Sequence, residues 1–245
     1  MKFWSSTPRP AAITSLPIPG GLRMLVIGPH PDDFDANGVT LRYLHENGSI
    51  IRVAVISGGS GVEDSYCWPP TLEVKEKIRQ KEQRESCRFF GLDDASLIFL
   101  KLENDSEDQP IESEANRGIL TELITSFRPD IVFIPHGNDT NQAHRTVYAM
   151  VKDVLSRIGF PVTAFLSRDP KTISMHTDLF MPFDEEQAEW KAQLLRFHDT
   201  QHQRNLNTRG HGLDDRILAV NRLIASELGL DAPYAEAFEL GSEVE

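Results

Sequence analysis

Two short apolar runs constrain this chain most. MLVIG at 24–28 and the IVFIP of DIVFIP at 131–135 contain no polar residue, and each gives way at once to a polar cluster. Unbroken runs of this length fit strands buried on both faces of a parallel sheet, whereas a half-exposed strand alternates. Further strands are expected at IIRVAVIS (50–57), SLIFL (96–100), VTAFLS (162–167) and TISMHTDL (172–179). Between them lie helical stretches. At 36–46, Val39, Leu41 and Leu44 recur near helical spacing before an Asn47-Gly48 stop, a charged helix at 72–90 is stopped by Gly91, and another spans 115–127. Residues 185–201 and 213–228 read as the last helices. Strand–helix alternation predicts right-handed βαβ units and an α/β fold, a Rossmann-like three-layer sandwich with a mainly parallel sheet.

Ligands in such sheets bind beyond the carboxyl ends of the strands. The polar clusters fall there: HPDDFD (30–35) after the first strand, GGSG (58–61) after the second, and HGNDTNQAH (136–144) after DIVFIP. GGSG lacks the Lys-Ser/Thr of a phosphate loop and reads as a rim of the pocket. His30, Asp32 and Asp33 leave the sheet edge together, stiffened by Pro31. Imidazole and carboxylate suit zinc, and a catalytic zinc takes three protein ligands and leaves one position open. His144, a short polar loop beyond another buried strand, is the natural third ligand. His136 reads as a pocket residue, a surface residue or an alternative ligand.

Bulk properties narrow the class. Length favours one domain at 21–245, preceded by an extended Pro- and Ser-containing arm at 1–20. With 40% hydrophobic and 25% charged residues and no run near the ~18 apolar positions of a membrane span, a soluble protein is expected. The first twenty residues lack a signal-peptide core, which places the protein in the cytoplasm. A net charge of −12 argues against nucleic acid as a partner. Cys67 and Cys87 have no metal-type spacing and read as ordinary thiols. Residues 74–88, dense in Lys, Arg and Glu, read as a solvated helix face.

GPHPDD after the first strand resembles the A-H-P-D-D-E signature of the LmbE-like, or PIG-L, deacetylases. Arg79, Glu82 and Phe90-Gly91 resemble that family's Arg-x-x-Glu helix ending in Leu-Gly, and PDIVFIPHGNDTNQAHRTV its strand, loop and Asp-His-Arg segment. Residues 191–201 resemble its Lys...His-x-Ser-Gln helix and YAEAF its closing strand, so the likeness covers about 23–240. The resemblance implies one zinc ion per chain held by His30, Asp33 and His144, Asp32 as general base, and hydrolysis of an N-acetylglucosamine-type group on a small amino sugar or glycoconjugate. It leaves room for a homo-oligomer.

Asn141, Arg79, His198 and Asp35 are expected to contact substrate, although Arg79 and Glu82 also sit one turn apart and favour an intrahelical ion pair. His198 reads as a pocket residue or as a helical His facing core or solvent. Arg145 reads as a contact for an anionic group or as an anchor of the helix start. Three positions depart from the family's pattern: Phe34 for Glu, with Asp35 next in line, Ala143 for Asp, and Asn141 for His. They keep two alternatives in play, a hydrolase of another amide such as a thiol conjugate, and a metal-dependent binding protein without turnover.

Overall fold

The structure, a computed structural model, describes residues 7–56 and 61–241. Within them eight strands form one sheet: β1 (Ala11–Ala12), β2 (Arg23–Gly28), β3 (Ile50–Val55), β4 (Leu97–Phe99), β5 (Ile131–Pro135), β6 (Thr163–Ser167), β7 (Leu179–Phe183) and β8 (Tyr234–Leu240). The helices are α1 (Gly38–Glu46), α2 (Leu72–Phe90), α3 (Glu114–Phe127), α4 (Gln142–Arg157), α5 (Glu185–Arg196), α6 (Asp199–Arg209) and α7 (Leu213–Glu227). Strand order is β1-β7-β8-β6-β5-β2-β3-β4. β8 runs antiparallel to β6 and β7, and the other pairings are parallel. The protein is therefore an α/β chain whose mostly parallel sheet carries an antiparallel strand.

The apolar strands divide their side chains between two cores. Met24 and Val26 of β2 and Ile131 and Phe133 of β5 enter one cluster; Leu25, Ile27, Val132 and Ile134 enter the other. That two-sided burial explains the unbroken runs. From β2 the chain winds outward through β3 to β4, then returns to place β5 on β2's other side. The order reverses between β2 and β5, and the crevice beyond their carboxyl ends is where such a sheet receives a ligand. At the far edge Ala11–Ala12 pairs with β7, and Ile13 and Leu16 are buried in the core.

Three expectations are corrected. The strand foreseen at 172–179 falls at Leu179–Phe183, where Leu179, Met181 and Phe183 alternate inward and pair with β8. The helix foreseen at 185–201 breaks at Phe197–His198, and α6 continues to Arg209, where Gly210 takes a left-handed φ of 78°. The third concerns α2, which is not merely a solvated face: Arg79, Glu82, Gln83 and Ser86 form a buried polar stripe. No described helix is long and apolar enough to cross a membrane.

A buried charge pair ties the loop after β2 to the rest of the sheet. Lys191 is fully buried and donates to the Ala36 carbonyl (2.6 Å), Asn221 Oδ1 (2.9 Å) and Glu236 Oε1 (2.6 Å). Glu236 in turn accepts the backbone N–H groups of Val39 and Thr40, where a carboxylate also complements the start of α1. Removing one partner of a buried pair strands the other charge, so Lys191→Met is expected to cost about 3 kcal/mol or more. Lys191→Met with Glu236→Gln should lose less, and denaturant unfolding of both variants checks the difference.

Candidate metal centre

The loop after β2 turns sharply. A side chain at Gly28 would meet the His30 carbonyl at 3.0 Å and Asp33 Cβ at 3.1 Å, so glycine is what lets the loop fold back here. Asp33 Oδ2 accepts the His30 N–H at 2.8 Å and lies 3.7 Å from His30 Nδ1, while Oδ1 lies 3.6 Å from His144 Nε2. One carboxylate thus sits between two imidazoles, and one donor atom from each of the three residues lies within 4.8 Å of the others. Donors about 2.0–2.2 Å from a shared ion are at most ~4 Å apart, so the cluster is close to a ligand set.

His144 is supported from behind. It lies in the first turn of α4, capped by Asn141 Oδ1 on the Ala143 N–H, and its Nδ1 meets Asp139 Oδ2 at 3.3 Å. Asp139 is buried and also accepts the Asn141 N–H at 2.6 Å and the Thr172 hydroxyl at 3.4 Å. A carboxylate on one imidazole nitrogen leaves the other free for metal and raises its basicity. Burial opposes charge on His144, but Asp33 and Asp139 overcome it, pushing its pKa up to about 9. Burial likewise opposes charge on Asp33, yet His144 and His30 hold its carboxyl well below the usual carboxylate range. Two imidazoles, a carboxylate and this support fit a divalent metal of zinc's class. Asp139, His144 and Asp169 form a second close group that shares His144.

Asp32 stands beside the cluster with a φ of 108°, a region that side chains other than glycine rarely adopt. The buried stripe of α2 holds it there. Gln83 Oε1 accepts the Asp32 N–H at 3.2 Å, and Arg79 Nη2 donates to Asp32 Oδ1 at 3.3 Å and to the Pro31 carbonyl. The intrahelical Arg79–Glu82 pair does not form, because Arg79 reaches the loop while Glu82 accepts the Thr200 N–H and hydroxyl, both at 2.7 Å.

His30, Asp32, Asp33, Arg79, Asn141 and His144 all line a cavity of about 490 Å³. Asp35 and His198, expected to contact substrate, do not line it. Both are fully buried and pair with each other at 2.7 Å, with Ser86 and Gln83 completing the shell around Asp35. Phe34 is buried against Phe90. Asn141 lines the cavity, and its Oδ1 is held by the Ala143 N–H. His136 lies elsewhere, 3.4 Å from Glu239, and Arg145 anchors the loop by donating to the Asp139 carbonyl at 2.8 Å. Of the GGSG loop, Gly61 lines the cavity, and 58–60 lie outside the described residues.

Sequence reasoning missed Asp139 and Gln83. It also weighed Ala143 as a lost carboxylate, and the geometry supplies one from Asp139. Ala143 is fully buried, so Ala143→Asp would force a larger, charged side chain out of water. Ala143→Asp is expected to destabilise the fold by about 1–3 kcal/mol and to leave turnover unchanged or lower. Paired unfolding and activity measurements test this, and higher turnover would refute it.

A mostly parallel α/β sheet with an imidazole–carboxylate cluster at its switch point defines a class of candidate metal-dependent enzymes. The family comes from the sequence profile of the PIG-L group, described as GlcNAc-PI de-N-acetylase, which matches residues 25–155: the chain belongs to this family. A comparison with curated protein sequences gives no match. The structure is similar to N,N'-diacetylchitobiose deacetylase from Pyrococcus horikoshii, at 19% identity over 89% of this chain and 83% of that one, with a TM-score of 0.68. It is also similar to GalB, the 4-carboxy-2-hydroxymuconate hydratase of Pseudomonas putida KT2440 (18% identity, 90% and 96% covered, TM-score 0.66). A third likeness is to the zinc-inhibited form of teicoplanin deacetylase Orf2 (16% identity, 90% and 98% covered, TM-score 0.63). Identities of 16 to 19% establish a shared fold.

Proposed function

We propose that this protein is a zinc-dependent hydrolase, a single domain over 21–245 of Rossmann-like build, that removes an N-acetyl group from an N-acetylglucosamine-type sugar or glycoconjugate. The observation that carries the reading is Asp32, a carboxylate outside the donor cluster yet beside it, opening onto the same cavity. His30, Asp33 and His144 would hold the ion. When bound, zinc acts as a Lewis acid toward the amide carbonyl and eases deprotonation of water at neutral pH.

The chain's own groups carry the rest. The Asp32 carboxylate accepts the proton of the attacking water, and then delivers it to the amide nitrogen as the C–N bond breaks, releasing acetate and a free amine. Arg79 and Gln83 keep that carboxylate aimed at the cavity. Asn141, which lines the cavity, would donate through its amide to the oxygen that gains negative charge. Family membership and the two deacetylases among the similar structures support the acyl-amide reading; GalB, named a hydratase, shows that likeness of fold alone does not select the reaction.

The test is acetate release by zinc-loaded protein from N-acetylglucosamine and N,N'-diacetylchitobiose, beside analogues with longer acyl groups. Release confined to the acetyl compounds supports the proposal. Preferential release of longer acyl groups points to another amide, and no release at enzyme concentrations matching substrate, with zinc bound, overturns hydrolysis altogether.

A further inference from the structure

The same cavity is rich in cationic groups. Five cationic side chains line the whole cavity: Arg79, Lys171, Arg204, Arg209 and Arg216. Arg79 is engaged by Pro31 and Asp32, and Arg204 donates to the Gly61 carbonyl at 3.3 Å. Arg209 and Arg216 stand apart. Among the described residues they are the arginines whose guanidinium groups have no hydrogen bond, ion pair or ring contact, although the chain carries 37 acidic residues against 25 basic ones.

The fold brings them together. Arg209 ends α6, Gly210 turns the chain with its left-handed φ, and Arg216 follows in α7 beside Leu213 and Ile217, a stripe at helical spacing that faces the cavity. Arg216 is half-buried, not free in solvent. Burial disfavours its charge and the neighbouring Arg209 disfavours it again, while Asp169, Asp32 and Asp139 partly compensate. Leu195, Leu213 and Ile217 pack with Ala36, three residues past Asp33, and give the cavity an apolar flank.

We propose that the α6–α7 corner is an anion subsite: the molecule accepted here carries a carboxylate or phosphate that Arg216 and Arg209 bind while its amide meets His30, Asp33 and His144. A guanidinium matches either anion with two parallel charge-assisted hydrogen bonds, and a half-buried one is screened less than a surface one. The apolar flank offers a surface to the rest of the molecule, as in pockets where a few polar groups fix orientation. The placement of the amide rests on the hydrolase reading, but the anion subsite does not depend on turnover.

The experiment compares calorimetric binding of N-acetylglucosamine, N-acetylglucosamine 1-phosphate and N-acetylmuramic acid to zinc-loaded protein, with acetate release measured alongside. An anionic probe is expected to bind about tenfold or more tighter than the neutral sugar, with the preference shrinking as salt rises. Whether the phosphate or the carboxylate probe gains more identifies the anion. Arg216→Gln should lose about tenfold of the preference and Arg216→Lys less, with circular dichroism confirming the fold of both. Equal binding of neutral and anionic probes by the wild type overturns the subsite, as does a preference that depends on zinc but survives Arg209→Gln with Arg216→Gln. Arginine-dependent preference without acetate release upholds the subsite and removes the N-deacetylase reading; acetate release without preference does the reverse.

Discussion

His144→Ala is expected to leave the protein with little bound zinc after dialysis. His144 supplies one of three donors, and its loss also parts Asp33 from the imidazole 3.6 Å away and Asp139 from its partner on the other nitrogen. Altering a supporting group around a metal weakens binding about 10 to 100-fold, and losing one of three direct ligands should exceed that range. Asp139→Asn provides the comparison: weaker binding within that range, with metal still measurable at moderate zinc concentrations. His30→Ala and Asp33→Ala should behave like His144→Ala. Metal analysis of dialysed protein reads the result, and full zinc occupancy in His144→Ala would reassign the ligands.

The second large effect is on turnover. Asp32→Asn preserves shape and can still accept the Arg79 hydrogen bond through its amide oxygen, but it cannot take a proton from water at neutral pH. Fold and zinc content should stay, while turnover falls by about 10² to 10⁴-fold. Near wild-type turnover in a zinc-loaded Asp32→Asn protein would move the base elsewhere. Asp35 is then a poor replacement, because it is fully buried and committed to His198, Ser86 and Gln83. Asp169, which lines the cavity, would be the next to test.

How much of this was legible depended on whether burial and hydrophobicity coincide. β2 and β5 were readable because side chains on both faces enter apolar cores, leaving no polar position to interrupt the pattern. The clusters HPDDFD and HGNDTNQAH followed from the rule that loops at strand ends carry chemistry, and their histidines do converge, with ring centroids 5.5 Å apart. α6 was missed as a separate helix because what it buries is Thr200, Gln201 and Asn205, and a periodicity search for apolar residues has nothing to find there. The inner stripe of α2 escaped for the same reason. Asp139 lies in a loop five residues before His144, and only the turn into α4 brings its carboxylate back to the ring. Asp35 and His198 read as substrate contacts from their place beside the motif, but their mutual attraction is satisfied behind the cavity wall.

The cavity is assembled from separate stretches of chain. The donor cluster, His30 to His144, lies within the residues matched by the family profile, and the α6–α7 corner lies wholly beyond residue 155. Arg204 bonds only the Gly61 carbonyl, and Arg209 and Arg216 make no hydrogen bond or ion pair to His30, Asp33 or His144, so these three side chains can be exchanged without removing a donor. On the proposed reading, selectivity becomes an exchangeable module: substitutions in one helical hairpin would change which molecule is accepted while the donors stay as they are.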